Sequence, residues 1–180
     1  MPPKTSQKPA ASTPKAAPAA PAIPAGRRVQ TRRSGVHGKG VFAVQDIAAG
    51  EVIMEYVGEI VSWQEAQDRH PHDPNDPNHT FYSHIDEDRV IDAKFGGNSS
   101  RWINHSCDPN CEAVEDYDET GRMVLRFQTL VAVDAGEELF IDYSLTADEA
   151  SSPADYLCYC GTESCRGTML ALGENDEVGR

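Results

Sequence analysis

The sequence predicts a mainly β domain, and three observations support this prediction. Five short runs are rich in β-branched and aromatic residues, which favour strands. Turn signals separate these runs, as at residues 48–50, 118–121 and 134–136. Helical patterns are few and short. The five strand-like runs are 41–44, 51–61, 89–93, 122–133 and 137–143.

Two short helices are predicted between the strands. Ser62 and Glu65 have the Ser-x-x-Glu spacing of a capping box, in which each side chain bonds a free N–H group of the first turn. The proline-rich loop HPHDPNDPNH, residues 70–79, should end this helix. The second helix is predicted for SSRWIN, residues 99–104. The loop's three histidines are potential metal ligands, although their pattern does not favour a site there.

The composition divides the chain into four parts. Residues 1–28 form a Pro/Ala/Lys-rich arm of low complexity, which cannot supply a core and is expected to be disordered. A globular domain is expected over 29–145 and a cysteine-rich segment over 154–170, followed by a flexible tail at 171–180.

Charge is distributed unevenly along the chain. Residues 1–45 hold eight Lys and Arg and no acid, whereas residues 46–180 hold all 29 acids and the other eight bases. An acidic body attracts basic ligands and repels nucleic acid, so any nucleic-acid contact is expected only through the arm. No apolar run reaches the roughly 18 residues of a membrane span, and no secretion signal is recognisable. The expectation is an intracellular protein without membrane contact.

The cysteines predict a zinc site. Cys158, Cys160 and Cys165 have the spacing C-x-C-x4-C, and a closed tetrahedral zinc site needs one more ligand. The only remaining cysteines are Cys107 and Cys111, so residues 101–111 should fold against residues 158–165. A four-cysteine site has no open position and would be structural rather than catalytic.

Several blocks together resemble the SET-domain protein lysine methyltransferases with a zinc-binding post-SET segment. They are HGKGVFA (37–43), GEVIMEYVGEIV (50–61), DRVIDAKFGGNSSRWINHSCDPNCEA (88–113), AGEELFIDY (135–143) and CYCGTESCRG (158–167). The resemblance implies a β-clip-like SET fold of small curved sheets with few short helices. It also implies a C-terminal pseudoknot, in which the RWINHS segment lies beneath the ELFIDY segment, an exception to unthreaded connectivity.

The resemblance further implies S-adenosylmethionine as cofactor and one structural Zn²⁺. Gly38 and Gly40 lack side chains, so the backbone there can approach a cofactor closely. By the same resemblance Cys107 is the fourth zinc ligand and Cys111 is spare. The implied cofactor-binding residues are His37, Gly38, Lys39, Gly40, Phe81, Tyr82, Arg101, Asn104, His105 and Tyr159, with Lys39 suited to the cofactor's carboxylate and Tyr159 lying against its adenine.

Tyr143 is the implied catalytic residue, orienting the substrate amine and the methyl group. The implied substrate channel consists of Tyr82, Ile141 and Tyr143. Two positions depart from the family pattern. Ile141 stands where the family usually has Phe or Tyr, which predicts a roomy channel and di- or trimethylated products. The channel tyrosine is expected at Phe81, so a one-residue shift or bulge would be needed for Tyr82 to take that place.

The expected substrate is a basic protein tail, such as that of a histone or histone-like protein. The arm's own Lys4, Lys8 and Lys15 are further candidate targets. The alternative is a non-catalytic SET-like module that binds basic peptides without modifying them. The expected location is the nucleus in a eukaryote, or the cytoplasm or nucleoid in a bacterium.

Overall fold

A computed structural model describes residues 26–69, 81–86, 88–146 and 152–171, and within them ten short strands form three small sheets. Almost all of the predicted arm and tail, and the histidine-bearing loop, lie outside the described residues. The strands are β1 (Val29–Arg33), β2 (Lys39–Ala43), β3 (Val52–Tyr56), β4 (Glu59–Ser62), β5 (Tyr82–His84), β6 (Arg89–Asp92), β7 (Asn104–His105), β8 (Cys111–Tyr117), β9 (Met123–Thr129) and β10 (Glu138–Ile141). The helix α1 covers Trp63–Arg69, and 3-10 turns cover Ser99–Trp102 and Pro153–Asp155.

The first sheet brings distant parts of the chain together. Its strand order is β1-β2-β10-β7, and its β7–β10 pair is parallel, with Phe140 opposite Asn104 and Ile141 opposite His105. The predicted neighbours RWINHS and ELFIDY therefore lie side by side. This pairing is what places residues 104–105 next to the chain that leads into Tyr143.

The other two sheets complete the scaffold around one main core. The second has the order β3-β9-β8 and the third β4-β6-β5. Val41, Phe127 and Leu139, from three different strands, are at most 2% exposed and belong to the same apolar cluster. A smaller cluster of Val61, Ala66 and Val90 packs α1 onto the third sheet.

The helix begins where the capping signal predicts. The Ser62 hydroxyl accepts a hydrogen bond from the Glu65 N–H at 3.1 Å. The Glu65 carboxylate instead pairs with Arg69 at 2.5 Å, so only the serine half of the capping box is seen. No helix within the described ranges is long and apolar enough to cross a membrane.

Two predicted runs do not form single continuous strands in the structure. The run 51–61 breaks into β3 and β4, which belong to different sheets. Gly58 lies at the break, where a Cβ would collide with the Asp92–Ala93 backbone. The run 122–133 forms a strand only to Thr129.

The SSRWIN segment is a 3-10 turn rather than an α-helix. Asn98 caps it by accepting a hydrogen bond from the Ser100 N–H at 3.0 Å. The turn ends at Trp102 because the chain becomes extended at Ile103 and joins β7. A short turn followed by a strand orients residues 104–105 toward the first sheet.

Candidate functional site

A cleft lies between the first sheet and the C-terminal segment, residues 152–171. Its lining comes from four separate parts of the chain and consists of Val36, His37, Asn104, His105, Tyr143, Leu157, Tyr159 and Met169. The structure thus brings together His37, Asn104, His105, Tyr143 and Tyr159, five residues that the sequence nominated for one site.

Asn104 fastens the loop that carries His37. Its side-chain amide lies within hydrogen-bonding distance of the His37 carbonyl at 3.2 Å, the Lys39 carbonyl at 2.9 Å and Glu138 Oε1 at 2.9 Å. The other oxygen of Glu138 accepts a hydrogen bond from the Ser34 hydroxyl at 3.0 Å. The buried amide and the carboxylate therefore fix the course of residues 34–40 along the cleft.

The two glycines of this loop serve different purposes. Gly38 has φ +46° and open space where a Cβ would point, so its backbone is free of steric cover. At Gly40 a Cβ would collide with the Glu138 carboxylate. Gly40 therefore makes room for Glu138, whereas Gly38 fits the predicted close approach of a ligand to the backbone.

His105 links the cleft to the cysteine segment. Its Nδ1 accepts a hydrogen bond from the Tyr143 N–H at 3.1 Å, so in the neutral ring the proton is on Nε2. That Nε2 lies 3.5 Å from Cys107 Sγ. Burial lowers the pKa of His105, partly opposed by the charge of Asp142, and this keeps the imidazole neutral near pH 7.

Two tyrosines, Tyr143 of the cleft and Tyr56 of β3, have raised pKa values and interact electrostatically. The Tyr143 hydroxyl donates to the Ile103 carbonyl at 2.7 Å, and the Tyr56 hydroxyl donates to the Phe81 carbonyl at 2.7 Å. Burial is the main cause of both shifts; each is increased by a nearby group, Glu138 for Tyr143 and Tyr143 for Tyr56. Both phenols stay protonated at neutral pH, so neither is suited to act as a base there.

Two cationic side chains, those of Lys39 and Arg101, pack against the ring of Trp102. The Lys39 ammonium lies 4.7 Å and the Arg101 guanidinium 5.1 Å from the ring centre. Arg101 also donates to the Ala93 carbonyl at 3.1 Å. The two predicted cofactor-binding cations thus share one aromatic neighbour.

Phe81 and Tyr82 take different positions, as successive residues at a strand do. The Phe81 ring packs edge-on against Trp102 at 5.2 Å and, like Ile141, against the main core. The Tyr82 ring packs edge-on against Trp63 at 5.6 Å, in the smaller cluster. Burial raises the pKa of Tyr82, and Asp92 and Tyr156 raise it further, so its phenol lies within electrostatic reach of the C-terminal segment.

Four cysteines converge beside the cleft. The thiols of Cys107, Cys158, Cys160 and Cys165 all lie within 4.8 Å of one another. The Sγ atoms of Cys107 and Cys158 are 3.7 Å apart, close to the about 3.8 Å that tetrahedral Zn–S bonds of about 2.3 Å require. Two backbone N–H groups, of Cys160 and Gly167, point at Sγ atoms at 3.4 Å, as expected for thiolate acceptors.

The residues of this cluster fit a zinc ion. Burial raises the pKa of the Cys107 and Cys158 thiols. At Cys160 the effect of burial is outweighed by hydrogen bonds from Thr162 and neighbouring groups, which lower the pKa to about 5. A bound cation would favour thiolates at all four positions. Cys111 is elsewhere, fully buried in β8, where burial raises its pKa to about 12. The structure therefore groups Cys107, and not Cys111, with the three C-terminal cysteines.

Sequence reasoning missed several residues of the site. Tyr56 lies in a strand-like apolar run, where its hydroxyl gave no separate signal. Val36, Leu157 and Met169 line the cleft as single apolar residues, and nothing in their local sequence distinguishes them from core residues. The role of Glu138 against Gly40 and Asn104 depends on pairing between strands that are distant in sequence.

Comparison with known proteins gives a consistent picture. A family model described as "SET domain" matches residues 38–144. The chain is 37% identical over 145 residues to the "Histone-lysine N-methyltransferase, H3 lysine-4 specific" of Mycosarcoma maydis, and 34% identical over 145 residues to the human "Histone-lysine N-methyltransferase SETD1A". These matches cover 78% and 79% of this chain but only 10% and 8% of the relatives, so the chain corresponds to a small part of each.

A solved structure is also similar. It is described as "ctPRC2 in an autoinhibited conformation bound to S-adenosylmethionine" and matches with a TM-score of 0.60 at 32% identity. The match covers 65% of this chain and 15% of that one.

Proposed function

This chain belongs to the SET-domain family, and on that premise we propose that it transfers methyl groups from S-adenosylmethionine to lysine side chains of a basic protein tail. The observation that carries the proposal is the position of Tyr143. Its hydroxyl is fixed on the Ile103 carbonyl, in a cleft whose other walls include His37, Asn104, His105 and Tyr159.

The cleft suits an adenosyl cofactor. Tyr159 and His105 offer aromatic faces, and Leu157 and Met169 offer apolar surface. Around them, the open backbone at Gly38 and the cations Lys39 and Arg101 suit the polar end of an amino acid. S-adenosylmethionine, when bound, supplies an electrophilic methyl group on a sulfonium. The protein's task is to hold that group and the amine in line and to exclude water.

Tyr143 acts by orientation rather than by taking a proton. Because its O–H donates to the Ile103 carbonyl, its oxygen lone pairs are available to accept a hydrogen bond from the substrate amine. Tyr56 is proposed to assist, since its phenol is held by the Phe81 carbonyl and interacts electrostatically with Tyr143. The lysine must arrive neutral, which a dry channel favours by penalising the ammonium form.

We assign one structural Zn²⁺ to the four clustered thiols. Held by Cys107 from the sheet side and Cys158, Cys160 and Cys165 from the C-terminal segment, it would fasten Tyr159 and Leu157 over the cleft. With four protein ligands it leaves no position open for substrate, so its contribution is to structure.

The substrate we propose is a basic tail, such as that of a histone. Residues 46–180 carry a net charge of −21, which favours a cationic peptide. Two relatives named above are histone-lysine methyltransferases, and this supports a place for the protein at chromatin. Contact of the arm with nucleic acid, and methylation of the arm's own lysines, stay predictions because residues 1–25 lie outside the described ranges.

The central test is a methyl-transfer assay with radiolabelled cofactor on core histones, using the zinc-loaded full chain. Tyr143→Phe keeps the ring and removes the hydroxyl, and we expect kcat to fall by about 100-fold or more because the amine loses its orientation. Tyr117→Phe is the matched control, since Tyr117 is 68% exposed at the end of β8. Its activity should equal that of the wild type.

Three results would count against the proposal. Equal activity of Tyr143→Phe and wild type would remove the role of Tyr143. Tight binding of histone peptides without any methyl transfer, or no binding of S-adenosylhomocysteine by calorimetry, would favour the alternative of a non-catalytic binding module.

Ile141 is proposed to set the number of methyl groups. Its side chain is smaller than Phe or Tyr, and the residue is partly buried against the main core. Wild type should therefore give di- or trimethyllysine with excess cofactor, and Ile141→Phe should shift the products toward monomethyllysine. Mass spectrometry of the product peptide measures this, and strict monomethylation by the wild type would contradict it.

Two substitutions can decide whether Tyr82 or Phe81 lines the substrate channel. Tyr82→Phe removes only a hydroxyl, and Phe81→Tyr adds one. If Tyr82 lines the channel, the first change should alter the product distribution while the second only disturbs packing on Trp102. The reverse pattern would assign the channel to Phe81.

A further inference from the structure

One ion pair joins the strand end at Tyr143 to the C-terminal segment. Arg166 donates from Nη1 to Asp142 Oδ2 at 2.7 Å and from Nη2 to Oδ1 at 2.6 Å. Its Nε donates to the Leu170 carbonyl at 3.2 Å, so the guanidinium is held on two sides. The side chains of Arg166 and Asp142 are only 12% and 30% exposed. A two-point pair of this kind fixes orientation as well as distance.

Asp142 also shapes the turn that contains Tyr143. Its Oδ1 accepts a hydrogen bond from the Ser144 N–H at 2.9 Å. Ser144 has φ +43°, a left-handed conformation that residues other than glycine adopt at a cost. An Asx turn helps to hold the chain in such a conformation. The backbone of Tyr143 therefore depends on the Asp142 carboxylate from one side and on His105, through its N–H, from the other.

Arg166 in turn depends on the cysteine cluster. It directly follows Cys165, and the Cys158 N–H donates to the Gly167 carbonyl at 3.1 Å, which ties the two arms of the cysteine segment together. The Asp142 pKa is lowered because hydrogen bonds from Arg166 and its charge outweigh the effect of burial, so the carboxylate stays ionised as Arg166's partner. Contacts thus run without interruption from the thiols through Arg166 and Asp142 to Tyr143.

We infer that Asp142 and Arg166 are positioning residues that couple the metal-binding segment to the orientation of Tyr143, an inference that rests on the function proposed above. With the segment fastened, Arg166 holds Asp142 and the turn at Ser144 is fixed. With the segment released, Asp142 loses its partner and the turn relaxes. The C-terminal segment therefore controls the rate of transfer in addition to covering the cofactor.

The test compares two Asp–Arg pairs of similar design. Asp142→Asn keeps an oxygen for the Ser144 N–H but loses the charge, and Arg166→Met keeps the chain length but loses the fork. Asp118→Asn and Arg122→Met are the matched controls in the β8–β9 turn. There Asp118 also accepts an N–H two residues on, from Thr120 at 2.9 Å, and pairs with Arg122 Nε at 2.9 Å.

We expect kcat to fall about tenfold or more in Asp142→Asn and in Arg166→Met, while the double variant is no worse than the poorer single one, as for residues acting through one contact. The dissociation constant for S-adenosylhomocysteine should change less than about threefold and zinc should remain near one per chain, since the cleft and thiols are intact. Activity within twofold of the two controls, or fully multiplicative losses in the double variant, would overturn the inference.

A second readout does not depend on activity. Amide hydrogen exchange in peptides covering residues 139–146 should accelerate about fivefold or more in both variants, and also in the wild type after zinc is removed by a chelator. Unchanged exchange after chelation would refute the coupling. Should Arg166→Met lose zinc, Arg166→Lys keeps the charge without the fork, and an intermediate kcat is expected.

The two proposals can fail separately. A wild type without Tyr143-dependent methyl transfer defeats the proposed function and, with it, the catalytic meaning of the coupling. An active wild type with unaffected Asp142 and Arg166 variants defeats the coupling alone.

Discussion

The sheet scaffold and the C-terminal segment, residues 152–171, are held in place by different kinds of interaction. The scaffold has continuous ladders between strands and a shared apolar core that includes Val41, Phe127 and Leu139. In the C-terminal segment Met169 is the only buried residue, and its backbone joins the rest through isolated bridges such as Leu145 with Leu170. Four thiols and the Asp142–Arg166 pair supply most of the remaining links.

The cleft therefore has two kinds of wall: a permanent one formed by the sheet scaffold, and a conditional one formed by the C-terminal segment, which depends on a few contacts to stay in place. Burial of many side chains stabilises the scaffold cooperatively, so no single polar contact decides its structure. The C-terminal wall depends on a few point contacts, and a metal site of this kind is coupled to the folding of the segment that binds it. Tyr159 and Leu157 stand on the conditional wall, whereas His37, Asn104 and Tyr143 stand on the permanent one.

The largest effect on the scaffold is expected from Phe127→Ala. Phe127 is 2% exposed and packs edge-on against Tyr56 at 5.8 Å, so its removal should lower the free energy of unfolding by about 3–5 kcal/mol. Denaturant unfolding of the zinc-loaded protein measures the change. A loss below about 1 kcal/mol would mean that the scaffold is as loosely held as the C-terminal segment, and the comparison would fail.

Thiol reactivity should separate the two regions almost as strongly. With its pKa raised to about 12, Cys111 is a thiolate in only about one molecule in 10⁴ at pH 8, and it is fully buried as well. Chelation should release the C-terminal segment and make its thiols and Cys107 accessible, so the folded protein should take up four alkyl groups from iodoacetamide, while Cys111, fully buried in β8, stays unmodified. Because the pKa of Cys111 is raised, its reactivity toward iodoacetamide should increase only as the pH approaches 12. Rapid labelling of Cys111 at pH 8 would contradict its burial in the scaffold.

A pair of cysteine variants sharpens the comparison further. Cys107→Ala should abolish stoichiometric zinc and weaken S-adenosylhomocysteine binding about tenfold or more, because Tyr159 is no longer fastened over the cleft. Cys111→Ala should keep one zinc per chain and lower the free energy of unfolding by only about 1 kcal/mol through a small cavity. Metal analysis measures the zinc content of both variants, and calorimetry measures their binding of S-adenosylhomocysteine. Loss of zinc in Cys111→Ala but not in Cys107→Ala would make Cys111 the fourth ligand and Cys107 the free thiol.

The smallest effect is expected at a surface ion pair. The Arg122 side chain is 61% exposed and pairs with Asp118 in the β8–β9 turn. Arg122→Met should shift the Tm by no more than about 2 °C, because exposed pairs contribute little. A larger shift would show that the scaffold also depends on point contacts.

Much of the framework could be predicted from the sequence because its strands are rich in β-branched residues. β3, β6, β9 and β10 lie within runs identified from composition, and β2 overlaps the run 41–44 but begins two residues before it. β8 could not be recognised, because it reads Cys-Glu-Ala-Val-Glu-Asp-Tyr and pairs with only one neighbour in its sheet, which leaves acidic side chains exposed. β1 could not be recognised for the same reason: it is an edge strand of the first sheet, and its residues Thr31, Arg32 and Arg33 are all exposed.

The site was predictable where chemistry requires a particular residue type at a fixed spacing. The spacing of the three C-terminal cysteines predicted a cluster of thiols, and the NHSC and GEELFIDY blocks contain residues that meet at the cleft. Single residues brought in by the fold, such as Met169, Tyr56 and Arg166, carry no such spacing. Arg166, for example, pairs with Asp142, which is 24 residues away in the sequence. Only the parallel pairing of β7 with β10 shows where the end of β10, and with it Asp142, lies.

The parallel pairing of β7 with β10 has a consequence for how the protein is made. Asn104 must wait for Phe140 before β7 has its neighbour, and Cys107 must wait for Cys158, 51 positions later, before it has a second thiol beside it. During synthesis at the ribosome, contacts of such long sequence separation form late. A nascent chain released from the exit tunnel only as far as β10 can close its sheets but has no metal site and only half a cleft. Under the proposed function, activity should therefore appear as the last event of folding, limited by the supply of the proposed zinc ion as well as by the chain itself.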